Sequence, residues 1–214
     1  VQEWVNNWED DEDALDAMEI ILEKIASIFD IQALSFSSKI YLREDLPPSI
    51  QFAILTGLAK QKNKDAYVLI RQLMLQDLPI SDDASMIDQL FEIFEENIEY
   101  SALLMPSIFH FYSIPEYHEP ILNFTKKLLE NDKLTPKQLK SYQKMLLTNA
   151  KLEYKRVRSW KLGQQRSDYY DASDAPEVCS YLFGFMHLLE AFKKDKEVAV
   201  LWEKIRNLSI REVT

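Results

Sequence analysis

Residues 46–79, LPPSIQFAILTGLAKQKNKDAYVLIRQLMLQDLP, constrain this chain most, because they read as a complete helical hairpin with a start or stop signal at each boundary. Pro47 and Pro48 suit the first turn of a helix, where a missing N–H costs no hydrogen bond. Ile50, Ala53, Ile54 and Leu58 then recur at three- and four-residue spacing, which puts them on one buried face. Gly57 lies between Ile54 and Leu58. It costs a helix interior about 1 kcal/mol against Ala, and it is read as a packing position where a neighbouring helix comes close. Residues 60–64 leave room only for a tight turn, with Asn63 as the N-cap of the next helix. There Ala66, Leu69, Ile70, Leu73 and Met74 form the stripe, Tyr67 and Val68 widen it, and Pro79 ends it by restricting Leu78. The short turn makes the two helices antiparallel neighbours. They cannot bury stripes this wide against each other alone, so further helical layers are required on either side.

A Pro at the start, a first helix of small residues, a short charged turn and a second helix rich in Leu and Ile together resemble a HEAT-type repeat. A second candidate unit lies at the far end. Residues 186–205 (MHLLEAFKKDKEVAVLWEKI) align without a gap on residues 54–73, with Ala191, Lys194, Lys196, Val200 and Leu201 falling on Ala59, Lys62, Lys64, Val68 and Leu69. The resemblance covers about a third of the chain, and the middle departs from it. It implies stacked helix pairs in a curved superhelix with a binding or scaffolding role, and it carries no catalytic residue with it.

Composition agrees with an all-α fold. The chain has 214 residues, 47% of them hydrophobic, which is ample for a core, and only three Gly, too few for the turns of an all-β fold or for a phosphate-cradling loop. One domain spanning 1–214, a stack of antiparallel hairpins irregular in the middle, is the expectation. The single Cys, Cys179, cannot pair internally, is read as a small core residue, and favours a reducing compartment such as the cytoplasm. No run of apolar residues is long enough to span a membrane. The sequence starts at Val1 rather than Met, and a fragment of a larger protein is expected.

The other elements follow from periodicity and punctuation. Trp4 and Trp8 share a helix face and are read as docking on the next layer. Asp13 caps a helix whose buried side is Leu15, Met18, Leu22, Ile25 and Phe29, while 30–46 fits neither period and is read as a connection. Asp82 or Asp83 caps a helix carrying Ile87, Leu90, Phe91 and Phe94. Pro106 splits the following apolar run. Pro115 and Pro120 frame the next start, leading into Ile121, Phe124, Leu128 and Leu129. Thr135 and Pro136 open the longest helix, about 136–159, buried through Leu139, Tyr142, Leu146 and Ala150. Residues 160–176 lose periodicity and are expected to form an exposed loop, before a final hairpin over 177–208 with Trp202 on its inner face.

Catalytic and metal chemistry find little to stand on. None of His110, His118 and His187 follows a Glu by three residues, and no HExxH, EF-hand or G-x-S-x-G pattern occurs. Glu116, His118 and Glu119 are the best metal candidates, but they sit at a helix start, where acidic residues serve the dipole. The acidic run 9–13 lacks the DDxxD spacing of helical prenyl-chain enzymes. No metal or cofactor is expected.

Charge is the informative signal. Residues 1–30 hold ten acidic side chains and one Lys, whereas 133–166 hold ten basic ones and Glu153 alone. Lys151, Lys155, Arg156, Arg158 and Lys161, with Trp160 as an apolar anchor and Tyr169 and Tyr170 in the following loop, form the candidate partner-binding surface. A net charge of −10 disfavours nucleic acid as that partner. A protein is expected instead, or a second copy joined through the opposite-charge segments. The leading expectation is a non-catalytic interaction or scaffold module of helical repeats. The alternative is an accessory helical domain of an enzyme whose catalytic residues lie outside this chain.

Overall fold

The computed structural model describes residues 12–28, 30–80, 84–112, 114–131, 134–164 and 175–210. Among them the chain is all-α: α1 (Glu12–Ala26), α2 (Ile31–Tyr41), α3 (Pro48–Lys60), α4 (Lys64–Gln76), α5 (Ala84–Glu96), α6 (Ile98–Ser101), α7 (Met105–Ile108), a 3-10 turn (Phe109–Phe111), α8 (Pro115–Leu129), α9 (Pro136–Gln164), α10 (Ala175–Glu190) and α11 (Lys196–Ile210). Internal contacts divide it into two compact units, Val1–Leu128 and Leu129–Thr214.

In the first unit α3 and α4 are the hairpin expected over 46–79. Pro48 opens α3, and the Asn63 side chain caps α4 by accepting from the Ala66 N–H at 2.9 Å. The tight turn between them is made by Lys62, which takes a left-handed φ of 52°. Further layers flank the pair. α1 packs on α3 and α3 on α5, while α2 packs on α4 and α4 on α6 and α7, so the helices stack as antiparallel hairpins in two rows. Gly57 is the point of closest approach. A Cβ there would lie 2.2 Å from the Glu23 carbonyl oxygen and 2.8 Å from the Ala26 Cβ. Nearby, Lys60 pairs with Glu23 at 2.6 Å, and the Gln61 amide donates to the carbonyls of Ala26 and Ile28.

The stretch 30–46 is a correction: most of it is helix. The Asp30 carboxylate accepts from the N–H groups of Gln32, at 2.7 Å, and Ala33, at 3.3 Å, and α2 buries Ser37, Ile40 and Tyr41. Its buried face carries a Ser and a Tyr in place of aliphatic residues, which hid the helical period. Of the side chains expected to line α1, Met18 and Leu22 are buried. Phe29 lies outside the described residues, as do Trp4, Trp8, Asp82 and Asp83.

α5 is the hub of an aromatic core. Phe91 and Phe94 lie 5.5 Å apart, Phe91 meets Tyr117 and Phe124 of α8 edge-on at 6.2 and 5.9 Å, and Phe94 meets Tyr67 of α4 at 6.1 Å. Pro106 opens α7, so the apolar run around it breaks into α6, α7 and the 3-10 turn. Pro120 sits inside α8 and is buried. His118 of α8 packs its ring 4.5 Å from that of Tyr112. Burial holds the His118 imidazole below the usual histidine range, against an opposing hydrogen bond with the Tyr112 backbone.

In the second unit α10 packs on α9 and α11, and α11 touches α9. Tyr142, Leu146, Ala150 and Val157 of α9, Leu182, Phe185 and Leu189 of α10, and Val198, Leu201 and Ile205 of α11 are its buried side chains. Burial pushes the Tyr142 hydroxyl up to about 12. Helix α9 is longer than its periodicity suggests. Residues 160–164, expected in the loop, are its last turn, and α10 begins at Ala175. Residues 165–174 lie outside the described residues. Trp202 is half-buried in the final hairpin, with the Lys193 ammonium 3.4 Å above its ring and the Arg206 guanidinium 5.7 Å away.

Two outcomes are expected. A helix-interior Gly→Ala change ordinarily gains about 1 kcal/mol, but at Gly57 the new methyl has to push α1 away from α3, an overpacking cost of about 1–3 kcal/mol. Gly57→Ala therefore lowers Tm, and a Tm at or above that of the parent contradicts the helix contact. For His118, the unfolded chain binds a proton near the ordinary histidine pKa of about 6.5, whereas the folded chain resists until a lower pH. The unfolded state then holds more protons, so stability falls as pH drops below that ordinary value. Thermal melts at about pH 7.5 and 5.5, bracketing the histidine range, show a smaller loss for His118→Gln than for the parent chain.

Candidate interaction surface

Helix α9 is opened by a reciprocal cap. The Thr135 N–H donates to the Gln138 side-chain oxygen at 2.9 Å, the Gln138 N–H donates to the Thr135 hydroxyl at 3.3 Å, and Pro136 takes the first helical position. This start sets the register of everything downstream. With the buried side turned to α10, the opposite side presents Lys137, Lys140, Lys144, Lys155 and Arg158, all exposed, together with half-exposed Lys151. At 3.6 residues per turn these six fall within a sector of about 60° and form a straight row about 32 Å long.

Of the residues expected at the surface, Lys151, Lys155 and Arg158 are brought into this row. Lys151 is partly engaged, in an ion pair with Glu197 at the start of α11. Lys155 and Arg158 make no ion pair among the described residues. Arg156 lies off the row, about 100° around the helix from Lys155, and is held by Glu153 one turn back at 2.5 Å. Trp160 and Lys161 lie in the last turns of α9, but their side chains are outside the described residues, as are Tyr169 and Tyr170. Beside the row, the apolar Leu152 is 59% exposed.

Lys137, Lys140 and Lys144 are additions to the surface read from sequence. Their signal is the spacing 137, 140, 144, 151, 155, 158, which shares one face of the helix already opened at Thr135 in the sequence. Neighbouring side chains three or four apart on a helix lie about 5–6 Å from each other, inside the ~8 Å screening length at physiological salt. Each like-charge pair costs the isolated helix about 0.2–0.5 kcal/mol. Lys137 also sits in the first turn, where no acidic residue occurs and where the helix dipole disfavours a cation. Apart from the Lys151–Glu197 pair, folding therefore gains nothing from this row among the described residues. Among the described residues no group of His, Cys, Asp or Glu is placed to hold a metal ion, and no helix is long and apolar enough to cross a membrane. No protein-family model, curated protein or solved structure matches the chain.

Removing row charges should leave the fold as stable or more so. Lys137→Glu combined with Lys144→Gln is expected to raise stability by about 0.3–1 kcal/mol, from a relieved dipole contact and lost repulsion. A denaturant melt showing a clear loss would mean that these lysines have structural partners.

Proposed function

We propose that this chain is a non-catalytic protein-interaction module of stacked, HEAT-like helical hairpins, and that the cationic row of α9 is its docking face for an acidic protein segment. The observation that carries this reading is the row itself: six Lys and Arg side chains on one exposed side of one helix, five of them exposed and only Lys151 ion-paired among the described residues. Such a row raises the energy of the free chain, and an acidic partner lowers it by replacing repulsion with attraction. Its cations are spaced to meet carboxylates displayed at three- and four-residue intervals on a partner helix, and Leu152 gives the contact an apolar centre. A protein fits better than a nucleic acid because the whole chain carries a net charge of −10, which repels a polyphosphate approaching from a distance.

Fluorescence anisotropy with a labelled Glu-rich helical peptide, and with a single-stranded oligonucleotide of similar length, tests the reading. The peptide is expected to bind at low salt and to weaken as salt rises. Binding should be lost in the variant Lys144→Glu, Lys155→Glu, Arg158→Glu. Tighter binding of the oligonucleotide than of the peptide would redirect the assignment to nucleic acid, and indifference to both salt and charge reversal would remove α9 as a docking face. Sedimentation of the chain alone at the same two salt concentrations reports whether a second copy serves as the acidic partner.

A further inference from the structure

The cationic row of α9 calls for carboxylates at helical spacing, and the chain itself displays them on α5. One side of α5 is buried through Ile87, Leu90, Phe91 and Phe94. On the opposite side Asp88, Glu92 and Glu96 are all exposed, within a sector of about 80° and about 12 Å of helix axis. None of the three makes an ion pair among the described residues, where the pair on this helix is Glu95 with Lys127 of α8. These carboxylates work against the isolated helix. Asp88 and Glu92, and again Glu92 and Glu96, are like-charge neighbours four residues apart. Glu96 also ends α5, in a last turn that holds no basic residue and where the helix dipole disfavours an anion. α5 is thus the counterpart of α9, whose Lys137 stands at the end that disfavours a cation.

We propose that the acidic segment that docks on the α9 row is α5 of a second copy of this chain. The inference rests on the reading of α9 as a docking face and names its partner. The two helices match in step. Lys140 and Lys144, and likewise Lys151 and Lys155, are four residues apart, about 6 Å along the axis, as are Asp88 and Glu92 and then Glu92 and Glu96. Laid side by side in either direction, the helices bring two carboxylates level with two ammonium groups. α1 is acidic too, but it carries Lys24 in its last turn and spends Glu23 on Lys60, so it has less need of an outside cation. A pairing of α5 with α9 relieves repulsion and an adverse dipole contact on both helices at once, whereas a separate acidic peptide relieves α9 alone. The contact is heterologous, the basic face of one copy on the acidic face of another, so every chain brings both halves and each half meets its complement at equal concentration. Its ion pairs join exposed side chains, which makes the association weak and sensitive to salt.

A charge-swap experiment on the full chain, read by sedimentation at low and high salt, tests the pairing. One variant reverses α9 with Lys144→Glu, Lys155→Glu and Arg158→Glu. The other reverses α5 with Asp88→Lys, Glu92→Lys and Glu96→Lys. The parent is expected to self-associate at low salt and to dissociate as salt rises. Each variant alone should associate about tenfold more weakly or worse, the effect of losing several exposed ion pairs together. An equimolar mixture of the two should regain association, because each α9 again meets an α5 of opposite charge, and so should the chain that carries all six substitutions. Far-UV circular dichroism establishes that each variant is folded. If the α5 reversal folds poorly, Asp88→Asn, Glu92→Gln and Glu96→Gln take its place and are expected to weaken association to a smaller extent. A parent that stays monomeric at low salt overturns the proposal, as does association that ignores the α5 substitutions or a mixture that shows no rescue. The two readings fail separately. Where the Glu-rich peptide binds the parent and not the α9 variant while the chain alone stays monomeric, α9 remains a docking face and only α5 of a second copy is removed as its partner. Where reversal of α9 alters neither peptide binding nor self-association, both fall.

Discussion

Everything in the first unit depends on how closely α1 approaches α3. At Gly57 the two backbones come so near that a single methyl would overlap the Glu23 carbonyl, and no other residue type offers that separation without moving a helix. Close approach alone fixes distance; the polar ties beside it fix register. Lys60 reaches Glu23, and Gln61 reaches the carbonyls of Ala26 and Ile28 at the frayed end of α1, where a helix leaves acceptors without donors. Since Gly57 lies against 23–26 and Gln61 against 26–28, α1 and α3 run in the same direction. That requires α2 to return antiparallel between them, and so a single Gly sets the hand-over from one hairpin to the next.

The other end of the hairpin is held by a different device. Leu78 is restricted by Pro79, so α4 cannot continue, and the part-buried carbonyl of Asp77 and the buried carbonyl of Pro79 are left with no helical donor. Two buried tyrosines supply the missing donors. The Tyr41 hydroxyl donates to the Asp77 carbonyl at 2.6 Å and the Tyr117 hydroxyl to the Pro79 carbonyl at 2.5 Å, while the buried Gln51 amide donates to the Tyr41 carbonyl and to the Asp77 carboxylate. Burial raises both hydroxyls well above the usual tyrosine range, so they stay protonated and remain donors wherever the fold persists. The chain thus ties α2, α3, α8 and the end of α4 through residues 77–80, a segment with no secondary structure of its own.

What the sequence discloses and what it hides follow from this division of labour. The hairpin over 46–79, the Asn63 and Thr135 caps, the α5 stripe of Ile87, Leu90, Phe91 and Phe94, and the break at Pro106 are all local signals, carried by residues within a turn or two of each other. Gly57 was legible as a close-approach position, although its partner was not. α2 escaped because its buried face relies on Ser37 and on Tyr41, whose hydroxyl is held inside by an acceptor from a distant part of the chain, the Asp77 carbonyl. The end of α9 escaped for a related reason, since Gly163 and the polar residues around it look like loop when read singly, yet the helix carries through to Gln164. The candidate surface was half legible. The basic excess over 133–166 pointed to α9, but charge counts have no direction, and only the helical register separates Lys155 and Arg158, in the row, from Arg156, beside it.

A stacked-helix architecture also explains why the outer sides of α9 and α2 take the form they do. Each helix spends one side on its neighbours, and the opposite side carries no constraint from the core, so it records other requirements. On α9 the record is electrostatic: like charges are held closer than the screening length and a cation sits at the wrong end of the dipole, against the interest of the isolated helix. On α2 it is hydrophobic: an isoleucine three-quarters exposed lies beside a half-buried phenylalanine, again against the interest of a free surface. Among the described residues only the Lys151–Glu197 pair offsets any of the cost on α9. On the proposed reading, repulsion along the row, about 32 Å long for 21 residues at 1.5 Å each, is relieved by an extended acidic partner that leaves again when salt rises. On that reading the charged face of α9 is suited to reversible recognition.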